Sequence, residues 1–445
     1  MKLRINRETC SLFLLASLAV LFGSSSLIAE PRKQSIKRVE DHIVFTGADV
    51  TSLIGVETVD LHLYVCGASG LAAVPFQVDK RDKDGRMVFP DEKLLDPARD
   101  GTLLDDNDEL VFMVKDAGDR CQDNVWVDKA ERGVEIELTD PLDNGIAWAY
   151  LFHRPGAKAP ETDDYVSYRT DDDREHISSG QYEIGQPWGS TSYDIIRLRR
   201  PDGEWGEDVL DLLRIEMRAR LLNNTLPVYI PEQEIKCRTF GVIDGPVRVI
   251  RYEMDFVHIK VINLNWKAEY FQTYYFNGNI SPVEFSIPVN LIKLFLDISF
   301  SWALDFNENI IGSKVINPAN PEGIILDGKQ DQDIDDEKDV PYTMVSGPQG
   351  SMIDIMVLGR DLGEIMDRVT YVREDLEKKK TAEENHPGQL LSGYRMKTST
   401  NLKKGSYTYF FYHYYPYPFT DRTPREILDM IENPVKVTAR PITPP

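Results

Sequence analysis

The chain has 445 residues, 42% of them hydrophobic, and a net charge of −22 from 73 Asp and Glu against 51 Lys and Arg. A field of that sign repels nucleic acid and anionic lipid, which sets those partner classes aside. The length and apolar fraction are enough for two ordinary domains with real cores.

Lys2, Arg4 and Arg7 precede an uncharged apolar stretch over residues 11–22, and Gly23, Ser24, Ser25 and Ser26 follow it. This is the layout of a secretory signal peptide. The stretch falls well short of the roughly 20 residues a membrane-crossing helix needs, so residues 1–29 read as a leader cleaved after Ala29. Cys10 precedes the apolar stretch, which argues against a lipid-modified cysteine. The expectation is an exported bacterial protein, periplasmic or extracellular, with a mature charge of about −24. Residues 289–306 carry Lys293, Asp297 and Asp305 and are apolar at every second position from Leu294 to Phe306. That is a strand with one buried face, so no transmembrane segment is expected after cleavage. Of the remaining cysteines, Cys66 and Cys121 are the expected disulfide in an oxidising compartment, and Cys237 reads as a small buried side chain.

Residues 36–155 form a first β-rich block. Leu61, Leu63 and Val65 alternate with polar neighbours, residues 110–114 are apolar, Val134, Ile136 and Leu138 alternate with glutamates, and residues 146–152 close the set. Turn signals at Asp84-Gly85, Asp100-Gly101 and Asn144-Gly145 separate them, a pattern of short strands that predicts a sandwich. Residues 156–181 shift to Asp, Glu, Ser, Thr and Gly and read as a linker or surface crossing. Residues 182–440 form a larger block with strands expected over residues 213–221, 247–256, 258–266 and 268–276, and Asn277-Gly278 signals a hairpin. Leu362, Ile365, Met366, Val369, Val372 and Leu376 fit helical spacing, against the β-branched content of residues 369–372. Thr423-Pro424-Arg425-Glu426 predicts a capped helix stopped by Pro434, and residues 435–439 a final strand. The fold class expected is mainly β, two antiparallel sandwich domains with few short helices, the second domain larger and supersandwich-like.

The stretch Val74-Pro75-Phe76-Gln77-Val78-Asp79, followed by residues 104–113 (LDDNDELVFM) and Asp116-Ala117-Gly118, resembles a signature in the N-terminal β domain of a group of exported bacterial proteins without assigned activity. The second block is similar, more faintly, to galactose-mutarotase-like and polysaccharide-lyase sandwiches, through its strand lengths and the Asp244-Gly245-Pro246 turn. That resemblance implies a carbohydrate-facing protein.

Asp79, Asp82, Asp84 and Gly85 lie close together, and Asp105, Asn107 and Glu109 alternate. Carboxylates spaced this way can converge on Ca2+, which takes six to eight oxygens, in a structural role. The competing reading is a pair of polar turns whose acids cap backbone amides. A second acidic run, Asp327, Asp331, Asp333, Asp335, Asp336, Glu337 and Asp339, reads as a solvated loop. Arg197 and Arg199 precede a Pro201-Asp202-Gly203 turn, and Arg214, Arg218 and Arg220 line one face of the next strand. If the two strands pair, the guanidinium-rich face suits carboxylates on uronic-acid sugars or a protein partner; cross-strand pairing with acids such as Glu216 and Asp194 is the other reading. Tyr412 and Tyr414 sit in an aromatic run that serves either as a sugar-stacking platform or as a strand buried on both faces.

The sequence carries no zinc, haem-attachment, P-loop or serine-hydrolase motif. The function expected is therefore a non-catalytic exported binding or cell-envelope accessory protein, facing carbohydrate or another exported protein. The alternative is a lyase-like or epimerase-like enzyme acting on acidic sugars, which requires Arg214, Arg218 or Arg220 to meet His258 or an aromatic.

Overall fold

The computed structural model describes residues 32–68, 70–90, 101–221, 226–259, 264–287, 295–330, 339–377, 388–398, 403–416 and 423–445. The leader expected over residues 1–29 and most of the acidic run at 331–337 lie outside them.

Seven strands come first: β1 (His42–Thr46), β2 (Leu61–Gly67), β3 (Gly70–Ala73), β4 (Gln77–Asp79), β5 (Glu109–Met113), β6 (Arg132–Thr139) and β7 (Ile146–His153). A three-stranded sheet, β1-β5-β4, packs on a sheet that contains β6-β7-β2-β3. Between them Ile43, Phe45, Leu110 and Phe112 meet Leu63, Ile136, Leu138 and Leu151. Strand β5 explains its own uninterrupted apolar sequence: Leu110 and Phe112 face this core, while Val111 and Met113 point the other way into a second one with Val247 and Tyr275. Burial on both faces removes the polar half of the usual alternation. Cys66, at the end of β2, and Cys121 are joined in a disulfide with their Cα atoms 5.5 Å apart.

Where the composition suggested a linker, β8 (Val166–Thr170) and β9 (Arg174–Ser179) form a four-stranded sheet with β10 (Tyr182–Pro187) and β11 (Ile195–Leu198). The acidic run at residues 171–173 is only their turn: Asp171 accepts from the amides of Asp173 and Arg174. Val166, Ile177, Tyr182 and Ile184, spaced between polar residues, bury one face of the sheet.

The next strands are β12 (Leu210–Leu221), β13 (Leu226–Ile230), β14 (Ile235–Asp244), β15 (Val249–Ile259), β16 (Leu264–Tyr275), β17 (Gly278–Ile287) and β18 (Phe295–Phe306). Sequence patterning suggested three strands over residues 247–276, but two long antiparallel strands, β15 and β16, cover that span in register from Val249↔Tyr274 to Ile259↔Leu264. The hairpin at Asn277-Gly278 forms as expected, closing β16 onto β17 at Tyr275↔Gly278. The chain continues through β19 (Lys314–Ile316), β20 (Ile324–Ile325), β21 (Tyr342–Gly347), β22 (Gly350–Leu358), β23 (Asp367–Glu374), β24 (Leu390–Thr398) and β25 (Gly405–Tyr414). The helix allowed by the spacing from Leu362 to Leu376 is reduced to a single turn, α1 (Arg360–Gly363). Val369, Thr370, Tyr371 and Val372 go into β23 instead, where branched and aromatic side chains fit the pleat and β24 offers a partner.

A nine-stranded sheet, β14-β15-β16-β17-β25-β22-β21-β19-β20, packs over a five-stranded one, β13-β12-β18-β24-β23. All strand pairs are antiparallel. Their shared core includes Leu213, Val249, Tyr274, Phe285, Leu304, Met356 and Phe411. Helix α2 (Pro424–Glu432) carries the expected capping box of Thr423 and Glu426 and buries Ile427, Leu428 and Met430. The last strand, β26 (Lys436–Ile442), leaves the block to which its sequence position assigned it and pairs with β6, from Lys436↔Thr139 to Ile442↔Gly133. The fold is mainly β and sandwich-like. Among the described residues no helix is long and apolar enough to cross a membrane.

Candidate functional site

The outer face of the nine-stranded sheet meets the three-stranded sheet along β15 and β16, and the junction is made by residues that drew attention in the sequence. The Gln77 side-chain oxygen accepts from the amides of Val247 and Arg248, at 3.1 and 2.9 Å. Gly245, in the turn before them, has no side chain because a Cβ there would overlap the Gln77 amide. Asp79 accepts from Arg248 Nε at 2.8 Å, and Glu109 binds both Arg248 and Arg81. Arg248 Nη1 also donates to the Tyr275 hydroxyl at 3.2 Å. Burial raises the Glu109 carboxyl, but the Arg248 and Arg81 guanidiniums outweigh it and hold the group below its ordinary value. The PFQVD and NDEL stretches and the Asp-Gly-Pro turn are thus two halves of one joint.

Beside this joint lies a cleft of about 760 Å3. One wall is the loop after β4, carrying Arg81, Gly85, Arg86, Met87 and Phe89; the other is β15 to β17, with Tyr252, Glu269, Phe271, Thr273 and Pro282. Glu109 and Arg248 also line it. The loop turns sharply at Gly85, whose φ of +78° favours glycine. It returns Phe89 onto Tyr252, ring centroids 5.8 Å apart, over Gly241, where a Cβ would strike the Phe89 ring. A register shift between Thr239 and Gly241 turns Phe240 toward the same rings, 5.5 Å from Tyr252. Tyr252 and Phe271, opposite each other on β15 and β16, stack at 4.5 Å and 6°. Beyond Phe271 the neighbouring position on β17 is Pro282, which has no N–H, and the ladder between β16 and β17 is interrupted there, between Tyr270↔Val283 and Thr273↔Ile280. The ring array ends at Phe271, with a compact proline where another ring would stand.

Of the residues read as calcium ligands, Glu109 lines this cleft. Asp79 and Glu109 hold arginines, and Asp82 accepts from the amides of Asp84 and Arg86. Asp105 caps the amides of Asn107 and Asp108, and Asn107 donates to the Asp82 carbonyl. Asp82 and Asp105 thus cap turns, and among the described residues no group of three or more His, Cys, Asp or Glu is placed to hold a metal.

The arginines separate into two sets, because β11 and β12 belong to different sheets and do not pair. Arg197 lies opposite Glu183 on β10, and Arg199 donates to the carbonyls of Gly180 and Gly203 and sits over Trp205. Arg214 is buried against Asp305 and Glu216, whereas Arg218 and Arg220 reach the surface of the five-stranded sheet. Tyr412 and Tyr414 pack with Ile353, Ile355, Ile427 and Leu428 beneath α2, so they are core rather than an exposed platform. Tyr407, Phe411 and Tyr415 of the same run point into the sandwich, and β25 is buried on both faces. Sequence reasoning missed Phe89, Tyr252 and Phe271, which sit in unremarkable alternating patterns. No protein-family model matches the chain, and no curated protein matches it.

Proposed function

We propose that this protein is an exported, non-catalytic carbohydrate-binding component of a bacterial cell envelope, with the cleft between the three-stranded and nine-stranded sheets as its binding site. The observation that carries this reading is the aromatic array of Phe240, Tyr252 and Phe271 ending beside the Arg81–Glu109–Arg248 network. A sugar ring has an apolar face that stacks on an aromatic side chain and an equatorial rim of hydroxyls that both donate and accept; rings next to fixed guanidinium and carboxylate groups serve both needs. A concave site with an apolar floor and a few convergent polar groups is the usual form of a small-molecule pocket.

The enzymatic alternative fares less well. His258 lies on β15 of the nine-stranded sheet, hydrogen-bonded to Asn265 at 2.8 Å, away from Arg214, Arg218 and Arg220 on the five-stranded sheet. Arg218 does meet an aromatic, Tyr229, but burial and the Glu216 charge push that phenol well above its ordinary range, and its hydroxyl donates to Glu216. A phenol held protonated in this way is a poor base at neutral pH.

The test is calorimetric titration of the mature protein with neutral and acidic oligosaccharides, with each mixture then analysed for cleavage or epimerisation. Binding without turnover is expected. Turnover of any bound glycan contradicts the reading, as does failure to bind any.

A further inference from the structure

The outer face of the five-stranded sheet carries a second surface, separate from the cleft. Register fixes which side chains share it: Arg218 stands opposite Ser299, and Glu216 opposite Ser301, across β12 and β18; Ser299 stands opposite Lys397, and Ser301 opposite Arg395, across β18 and β24. The middle strand therefore contributes short hydroxyl side chains, and its two neighbours contribute the long cationic Arg218, Arg395 and Lys397, with the buried Glu216 paired to Arg218. The result is a trough along β18 with a serine floor. Neighbouring strands are about 4.8 Å apart, so its walls stand roughly 10 Å apart at the backbone, about the width of one polysaccharide chain.

A cavity of about 640 Å3 occupies this trough, and its lining includes Arg218, Arg220, Arg395 and Lys397 and no acid. On a chain of net charge −22, such a gathering of cations runs against the average. Two guanidiniums are also held in fixed planes: Arg218 lies 4.5 Å over the Tyr229 ring, with its Nε and Nη2 donating to Glu216, and Arg395 lies 4.1 Å over Tyr371. Arg395 Nε donates to Ser301 at 3.2 Å. A planar fork already ordered by stacking loses less rotamer freedom when it takes up a carboxylate, and its geometry matches two carboxylate oxygens.

We infer that this trough binds a carboxylated polysaccharide, a uronic-acid polymer, through the Nη edge of Arg395 and the charge of Arg218, independently of the aromatic cleft. Carboxylates spaced one per sugar suit a few isolated forks on an otherwise acidic protein, whereas the dense charge of nucleic acid meets the net repulsion.

The test is affinity electrophoresis of the mature protein in gels containing polygalacturonate, carboxyl-reduced polygalacturonate or single-stranded DNA. Retardation by polygalacturonate alone is expected, weakening with added salt. Arg395→Gln and Arg218→Gln are each expected to weaken it at least tenfold at unchanged melting temperature, with Arg395→Lys intermediate because it keeps the charge and loses the fork. Phe271→Ala, in the cleft, is expected to leave retardation intact. The inference is overturned by equal retardation in the carboxyl-reduced gel, by stronger retardation in DNA, or by full retention of binding in both glutamine variants. Loss of binding in Phe271→Ala alone assigns the polymer to the cleft and also overturns it.

Discussion

Arg248 shows how one side chain sets both the junction and the cleft. It is almost wholly buried, and its guanidinium reaches Asp79, Glu109 and Tyr275, so it ties β4 and β5 to β15 and β16. Replacing it with methionine keeps the volume but takes the guanidinium from Asp79 in a water-poor joint and leaves Glu109 to Arg81 alone. Breaking a buried pair from one side costs about 3–5 kcal/mol, so urea denaturation of Arg248→Met is expected to show a loss of that order. A loss under 1 kcal/mol contradicts the role assigned to the joint. Asp116 and Gly118 have equally local reasons. Asp116 accepts from the Tyr165 hydroxyl at 2.7 Å, and Gly118 lies where a Cβ would overlap the Cys66 carbonyl. Sequence reading weighed these acids as calcium ligands or as turn caps and did not see their arginine partner, which lies some 170 residues beyond Asp79.

Among elements, those read most faithfully were governed by neighbours in sequence. The box from Thr423 to Glu426 and the hairpin at Gly278 each need only a handful of residues, and both formed as expected. Residues 362–376 were ambiguous because helical spacing and β-branched content disagreed, and the free edge of β24 resolved them as strand. Strand β26 was legible as a strand and illegible as a partner of β6, since alternation says which residues point inward but not which strand lies alongside. The disulfide is also an element-scale device. It closes a loop with a sequence separation of 55, which in a chain-entropy account stabilises the folded state by about 4 kcal/mol. Reduction under native conditions is accordingly expected to lower the melting temperature by several degrees; an unchanged melt with both thiols shown to be free contradicts that.

At the scale of the molecule, the large sandwich buries many acids as well as apolar side chains. Burial, reinforced by Glu253, raises Asp255 to about 7; burial also raises Glu232 to about 7 and, against the opposing Arg38 charge, Asp41 to about 6. Each holds a proton in the folded state that the unfolded chain has released, so the stabilisation is complete below the unfolded values near 4 and is lost as pH rises through 6 to 7. His42 has the opposite sign: burial and the Arg248 charge lower it to about 3, so its contribution is present above its unfolded value of 6.5 and is lost as pH falls. From pH 8 to 6.5 the carboxylates dominate, and acidification across that range is expected to stabilise the protein by about 1–2 kcal/mol, visible as a rising melting temperature. A melting temperature that falls over the same range contradicts the burial of these groups. The central claim, that the two sandwiches meet around a sugar-binding cleft, is tested most directly by the dissociation constant of the tightest-binding oligosaccharide for wild type and Phe271→Ala. Removal of the terminal ring is expected to weaken binding at least tenfold while the melting temperature stays within a few degrees; undiminished affinity in a folded variant contradicts the claim.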